Sequence, residues 1–250
     1  MAQKTKPILL LLLVAMICLV SCGRKGKQVL RVGTNPEYPP FSYKMGEQLT
    51  GVDAEIARKI AEKMGMKYQL TAMDFESLLP SLALDKIDLA ISSITITNER
   101  WQSVDFTVPY YTTNQVIIAK SDSPIQIKSF ADLGKYTIGS LEGTTGCKYL
   151  DENLVDKDLM PKDKLKLYST NIEANSEMLN GIIDFVIIDE TAANGYAKLK
   201  PIKSAFVIPT NENYGIAMQK GKAINSRINK ALTELIASGE IKHIIAGYVR

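Results

Sequence analysis

The chain has 250 residues, 46% of them hydrophobic, with 30 lysines and arginines against 27 aspartates and glutamates, a formal charge of +3. Lys4 and Lys6 lie in the first 21 positions with no acid beside them, so positions 22–250 keep 28 basic and 27 acidic groups, a charge of +1. This near-neutral balance, without a basic stripe carrying interleaved aromatics, excludes a nucleic-acid partner, and the single histidine, His243, has no His or Cys companion at metal-ligand spacing.

In chain order, Lys4 and Lys6 precede an apolar run from Ile8 to Val20, a basic n-region and an h-region of signal-peptide length. Leu19-Val20-Ser21-Cys22-Gly23 resembles a bacterial lipobox, which implies a signal peptide over residues 1–21, cleavage before Cys22 and lipid on its sulfur. Residues 22–27, with Arg24, Lys25 and Lys27, read as a short basic tether to the membrane. Cys18 leaves with the signal peptide, so Cys147 is the one cysteine left over and no intramolecular disulfide is available. Roughly 225 remaining residues suffice for an apolar core without such staples.

Val29-Leu30-Arg31-Val32 reads as a strand, and Pro36-Glu37-Tyr38-Pro39-Pro40-Phe41 as a stiff loop presenting two aromatics, because proline cannot continue a central strand. Asp53 stands where an N-cap belongs, before a helical pattern at Ile56, Ala57, Ile60, Ala61 and Met64. Tyr68–Leu70 is a second strand, Leu78, Leu79 and Leu82 mark a short helix, and Leu89–Ile91 is a third strand. This β-α-β-α-β order predicts a mostly parallel sheet. The pattern restarts with strands at Tyr136–Gly139, Leu165–Tyr168 and Phe185–Ile188, and helices after Gly146 and over Ile172–Leu179. Ile87-Asp88-Leu89-Ala90-Ile91 echoes Ile183-Asp184-Phe185-Val186-Ile187, as if two lobes shared one design; Asp88 and Asp184 are expected to serve turns. Gln115–Lys120 and Phe206–Asn211 read as two extended crossings between the lobes, a natural hinge. The chain then returns through a strand over Tyr214–Met218 and a helix carrying Ile224, Ile228, Leu232 and Leu235. Lobe one is therefore expected over 28–117 and 211–250, and lobe two over 118–210.

The most informative stretch follows the third strand: Ser92-Ser93-Ile94-Thr95-Ile96-Thr97-Asn98-Glu99-Arg100. Ligands of open α/β sheets bind outside the carboxyl ends of the strands, and an arginine fork backed by hydroxyls suits a small carboxylate. Together with Gly33–Phe41, Gly51-Val52-Asp53, Met73–Leu82, Phe106-Thr107, Pro109-Tyr110-Tyr111, Gly143-Thr144-Thr145 and Asp189-Glu190, the chain resembles a substrate-binding protein of the polar amino-acid ABC-transporter family, in its arginine and basic amino-acid subgroup. The resemblance implies the type II periplasmic binding-protein fold: two α/β lobes, each a mixed, mostly parallel sheet flanked by helices, closing on one free amino acid. It implies an ABC permease as partner, a monomer at the extracytoplasmic face of a membrane, no cofactor and no catalysis.

Carried over by motif, Arg100 would take the ligand α-carboxylate with Thr95 and, from lobe two, Thr145. Asp189 would take the α-ammonium with Ser93. Ser92, Leu141 and Gly146 would complete the walls, and Tyr38 and Phe75 would sandwich the ligand side chain. At the side-chain end, asparagine replaces at position 35 the acid that family members for basic ligands often carry there. Glu37 and Glu142 are therefore candidate partners for a guanidinium, and Glu37→Gln is expected to weaken arginine more than glutamine. The absence of a lysine in Leu141-Glu142-Gly143 tilts the reading from glutamine towards arginine. Glu99 could orient Arg100 or face water. A glycosidase or amino-acid hydrolase on the same architecture, or a surface sensor, are the competing readings; no isolated carboxylate pair stands out for the first.

Overall fold

The computed structural model describes residues 28–249; the expected signal peptide, the tether and Cys22 lie outside them. Strand β1 (Val29–Thr34) leads into a small antiparallel patch of β2 (Glu37–Tyr38), β3 (Ser42–Met45) and β4 (Gln48–Thr50). Helix α1 (Val52–Lys63), β5 (Lys67–Ala72), α2 (Phe75–Ala83) and β6 (Leu89–Ala90) follow, then α3 (Asn98–Ser103) and β7 (Val104–Phe106). Strand β8 (Tyr111–Lys120) carries the chain into the second lobe, made of β9 (Ile138–Leu141), α4 (Thr145–Leu150), β10 (Leu165–Tyr168), α5 (Asn171–Leu179), β11 (Phe185–Asp189) and α6 (Glu190–Ala197). Strand β12 (Ile202–Tyr214) returns, and β13 (Ala217–Gln219), α7 (Ile224–Ala237) and α8 (Glu240–Tyr248) complete the first lobe.

The two five-stranded sheets have matching orders, β5-β1-β6-β13-β7 and β10-β9-β11-β8-β12. In each, three parallel strands are extended by two antiparallel pairings. The echo between residues 87–91 and 183–187 is a real structural repeat. Asp88 Oδ2 accepts from Arg31 N at 2.8 Å, and Asp184 Oδ2 accepts from Thr137 N at 2.8 Å. A Cβ on Gly33 would lie 2.6 Å from Ile87 Cδ1, and one on Gly139 would lie 2.7 Å from Ile183 Cδ1. In both lobes a side chain at this position would press on the tip of the isoleucine that precedes the neighbouring strand, so glycine fits the same place twice. The apolar runs are continuous because both sheet faces are covered: along β8, Val116 and Ile118 pack into one core while Ile117 and Ala119 pack into another.

The two crossings pair with each other. β12 runs antiparallel to β8 from Ile202↔Lys120 to Ile208↔Gln115, shifts register, and resumes at Glu212↔Thr113. Pro209, Thr210 and Asn211 oppose Asn114 alone, and Asn211 has φ +51°. Such a bulge bends a two-stranded ribbon. Residues Gln115–Ile118 of β8 pair with β11.

Three local expectations need correction. Asp53 does not cap α1: Gly51 holds the N-cap position, and Asp53 sits inside the first turn with its carboxylate turned into the core. The aromatics at 38 and 41 part company, because Phe41 is fully buried against the edges of Tyr111 and Tyr214. Tyr214–Met218 is not one strand. Tyr214 ends β12, and Gly215-Ile216 carry the chain from one sheet to the next, Gly215 N donating to Ile94 O at 3.0 Å.

Candidate functional site

The carboxyl ends of β1, β6, β9 and β11 converge on one cavity between the lobes. Seven residues from lobe one line it: Asn35, Tyr38, Phe75, Ser92, Ser93, Thr95 and Arg100. Leu141, Thr145 and Asp189 line it from lobe two, with Gln115, Thr144, Asn171, Ile187 and Ile188, which motif reasoning missed. Of the expected residues, Glu37 and Gly146 do not line it, nor does Glu142. Gly146 lies behind the wall, where a Cβ would stand 2.7 Å from Gln115 Oε1. Glu37 instead faces the start of α5, its Oε2 accepting from Asn171 N at 3.1 Å, and its carbonyl accepts from the Tyr196 hydroxyl.

Arg100 is placed by α3, which Thr97 caps by accepting from Arg100 N at 3.1 Å. Its guanidinium donates to Thr95 O at 2.8 Å and, across the cleft, to Gly143 O at 2.9 Å, and lies 5.6 Å from the centre of the Phe75 ring. A guanidinium has five N–H donors, so two bonds to carbonyls leave others for an anion. Burial pulls its pKa below the ordinary value, against the charges of Glu212 and Asp189. Glu99 pairs with Lys148 of lobe two rather than with Arg100; both are exposed, and such pairs are worth about 0–1 kcal/mol.

Asp189 ends β11 and opens α6. Its carboxylate accepts from Gln115 and from the Tyr214 hydroxyl, and its N–H donates to Tyr38 Oη at 2.9 Å. Burial, reinforced by the charge of Glu212, pushes Asp189 up to about 7, and its hydrogen bonds from Tyr214, Tyr38 and Gln115 oppose that rise. Asp53 is likewise raised by burial to about 7. It accepts from Ser93 N at 2.9 Å and from Tyr110 Oη at 2.7 Å, and so holds Ser93 at φ +51° at the cavity wall. Ser93 Oγ is buried without a partner.

The residue that sequence reasoning missed most clearly is Glu212, on the return crossing. Its Oε2 accepts from Thr95 Oγ1 at 2.7 Å and Thr145 Oγ1 at 2.6 Å, and its Oε1 from Gln115 Nε2 at 3.1 Å. It therefore joins the two lobes at the back of the cavity. The available signal was its spacing: two positions before buried Tyr214 on an extended strand puts both side chains on one face. Since each hydroxyl has one hydrogen, Thr95 and Thr145 present lone pairs to the cavity while bound to Glu212.

The two-lobed α/β arrangement is the type II periplasmic binding-protein fold. The sequence matches the bacterial extracellular solute-binding proteins, family 3, over residues 30–250. It is 34% identical over 253 residues to the arginine-binding extracellular protein ArtP of Bacillus subtilis (strain 168), spanning 96% of each chain. Among solved structures, an ancestral arginine-binding protein bound to arginine is 34% identical with a TM-score of 0.83, covering 90% of this chain and 99% of that one. The arginine-, lysine-, histidine-binding protein ArtJ from Geobacillus stearothermophilus is 33% identical with a TM-score of 0.79, covering 89% and 95%. These relatives are binding proteins. By its motifs, its lobes and the extent of the match, this chain belongs to family 3 of the bacterial extracellular solute-binding proteins.

Proposed function

We propose that the protein captures a free amino acid, arginine, between its lobes and delivers it to an ABC permease, without transforming it. One observation carries the reading: Arg100 and Asp189, of opposite charge, line the same cavity from different lobes. A free zwitterion supplies the complementary pair, and contacts to both lobes shift an open–closed equilibrium by their difference between the two states. Phe75 and Tyr38 provide aromatic walls for the aliphatic stem and the guanidinium. The arginine-binding relatives support the choice of ligand.

In this reading the chain changes lobe at Asn114 and again at Pro209–Asn211, where the bulged ribbon is the hinge. Thus 28–113 and 212–249 form lobe one, and 115–208 lobe two. The chain acts as a monomer, exported by residues 1–21 and held by lipid on Cys22 at the extracytoplasmic face.

A thermal-shift screen of the twenty amino acids is the test. Ligand binding to the native state raises the melting point by mass action; arginine is expected to give the largest shift, and no shift with any of them would overturn the reading. Labelled arginine is expected to be retained unconverted, and turnover would replace the receptor by an enzyme. The position of Glu37 changes one sequence expectation. Its carboxylate serves the first turn of α5, an interaction worth about 0.3–1 kcal/mol. Glu37→Gln is therefore expected to weaken arginine and glutamine equally, by about two- to fivefold, as read by calorimetry.

A further inference from the structure

Gly195 sits inside α6, where glycine is a poor choice: among the residues only proline forms helix less readily, and Ala192, Ala193 and Ala197 stand around it in the same helix. A Cβ on Gly195 would lie 2.4 Å from Pro39 O, 2.8 Å from Pro39 C and 3.1 Å from Pro40 Cδ. Non-bonded heavy atoms settle at about 3.5–4.0 Å, so a side chain here would push the two backbones apart by about 1 Å. In the lobe assignment above, Pro39 and Pro40 belong to lobe one and α6 to lobe two.

Both walls of this contact are anchored. On lobe one the turn is tied to the start of α1: Val52 N donates to Pro40 O at 3.2 Å and Asp53 N to Phe41 O at 2.9 Å, and Phe41 is fully buried. On lobe two, Ala192, Ala193 and Tyr196 are buried in the core that holds Val116 and Val186. The accommodation left is separation of the lobes. The contact also seats a seam at the edge of the site. The Tyr196 hydroxyl donates to Glu37 O, Glu37 Oε2 accepts from Asn171 N at 3.1 Å, and Tyr38 Oη accepts from Asp189 N at 2.9 Å. Each of these bonds crosses between the lobes, and Tyr38 and Asp189 line the cavity. Asn194, next to Gly195, shares a surface cleft with Asn114 and Asn211 of the bulged ribbon. Gly195 therefore lies close to the hinge, and a displacement there grows with distance from the axis.

Resting on the amino-acid reading and the lobe assignment above, we propose that Gly195 is a positioning residue for capture: its bare backbone lets the Pro39–Pro40 turn seat on α6, and any side chain at 195 wedges the lobes ajar. The wedge touches no ligand. It stretches the bonds from Tyr38 to Asp189 and from Tyr196 to Glu37, and draws Asp189 away from Arg100. It disfavours the closed form alone, because separated lobes do not meet at 195, and affinity falls by the fraction of competent molecules lost.

Calorimetry, thermal unfolding and small-angle scattering on the full chain, Gly195→Ala and Gly195→Gln test this. Gly195→Ala is expected to weaken arginine by about tenfold or more. Gly195→Gln is expected to match that loss within about threefold, because the clash begins at the Cβ common to both. The ligand-free melting point is expected to stay or rise, since alanine and glutamine form helix better than glycine. Loss of affinity without loss of stability is a result that a mere packing role in α6 would not give. Saturating arginine is expected to shrink the radius of gyration of the parent and to shrink it less in both variants. An arginine affinity within about threefold of the parent in either variant would overturn the inference and leave amino-acid capture standing. So would a ligand-free melting point that fell with the affinity, or full contraction in the variants. A parent that bound none of the twenty amino acids would overturn both.

Discussion

Replacing Arg100 by alanine is expected to weaken arginine binding by about 100-fold or more, from the loss of two charge-assisted hydrogen bonds worth about 1.5–3 kcal/mol each. The fork is pre-set: α3 fixes the start of the side chain, the Thr95 and Gly143 carbonyls orient the guanidinium, and Phe75 lies beside it. The ligand carboxylate thus meets donors already in place and spends little entropy ordering them. Without them, the carboxylate enters a cavity beside Asp189 and Glu212 with no cation to meet it. Arg100→Lys is expected to fall between, since a lysine keeps the charge and loses the planar fork. The unliganded melting point is expected to change little, because burial of the guanidinium already works against it. Calorimetry on both variants gives the comparison, and an Arg100→Ala affinity within tenfold of the parent would remove Arg100 from the site.

Arginine affinity is expected to fall about tenfold between pH 8 and pH 6, with Asp189 as the cause. The ligand ammonium needs the ionised carboxylate, and burial has pushed Asp189 up to about 7. Below that value the empty protein holds a proton that binding must expel, so the slope approaches one decade per pH unit. Stability of the empty protein runs the other way. Asp189 and Asp53 both rise from 3.8 to about 7 on folding, so the native state binds protons more tightly than the unfolded chain. Stability is then gained as pH falls from about 7 towards 4 and lost as pH rises through 7. The melting-point shift given by arginine should therefore shrink in acid while the unliganded melting point climbs. Calorimetry in buffers of different ionisation enthalpy should count about one proton released per ligand at pH 6. Asp189→Asn is expected to lose most of the affinity and the slope together; a variant that kept the slope would place the titrating group elsewhere.

The pocket draws its recognisable residues from short motifs at strand ends. Ser92, Ser93, Thr95 and Arg100 lie within nine positions, and their backbone course follows from a strand that ends and a helix that begins. Asp189 was legible through the Asp189-Glu190 motif of the family resemblance, at the end of a strand that repeats the pattern of residues 87–91. Glu212 and Asn171 were not. Each stands alone among ordinary polar residues, and each owes its place to a partner far off in the chain: Thr95 for Glu212, Glu37 for Asn171. Glu37 misled for the same reason in reverse. It stands two positions from Asn35, but residues 37 and 38 lie in a strand whose alternation sends Tyr38 to the cavity and Glu37 to α5.

Local pattern decided the element order and pointed to the twofold design, because hydrophobic periodicity and turn residues are constraints within a few residues, while the expected zwitterion grip came from the resemblance of the strand-end motifs to a known family. The direction of each carboxylate depended on packing between segments 40 to 117 residues apart. Asp53, read as a cap, turns inward to hold Ser93 and Tyr110, and Glu212, unread, ties Thr95 to Thr145. A buried charge goes where hydrogen-bond donors can compensate its desolvation, and only the folded chain brings those donors together.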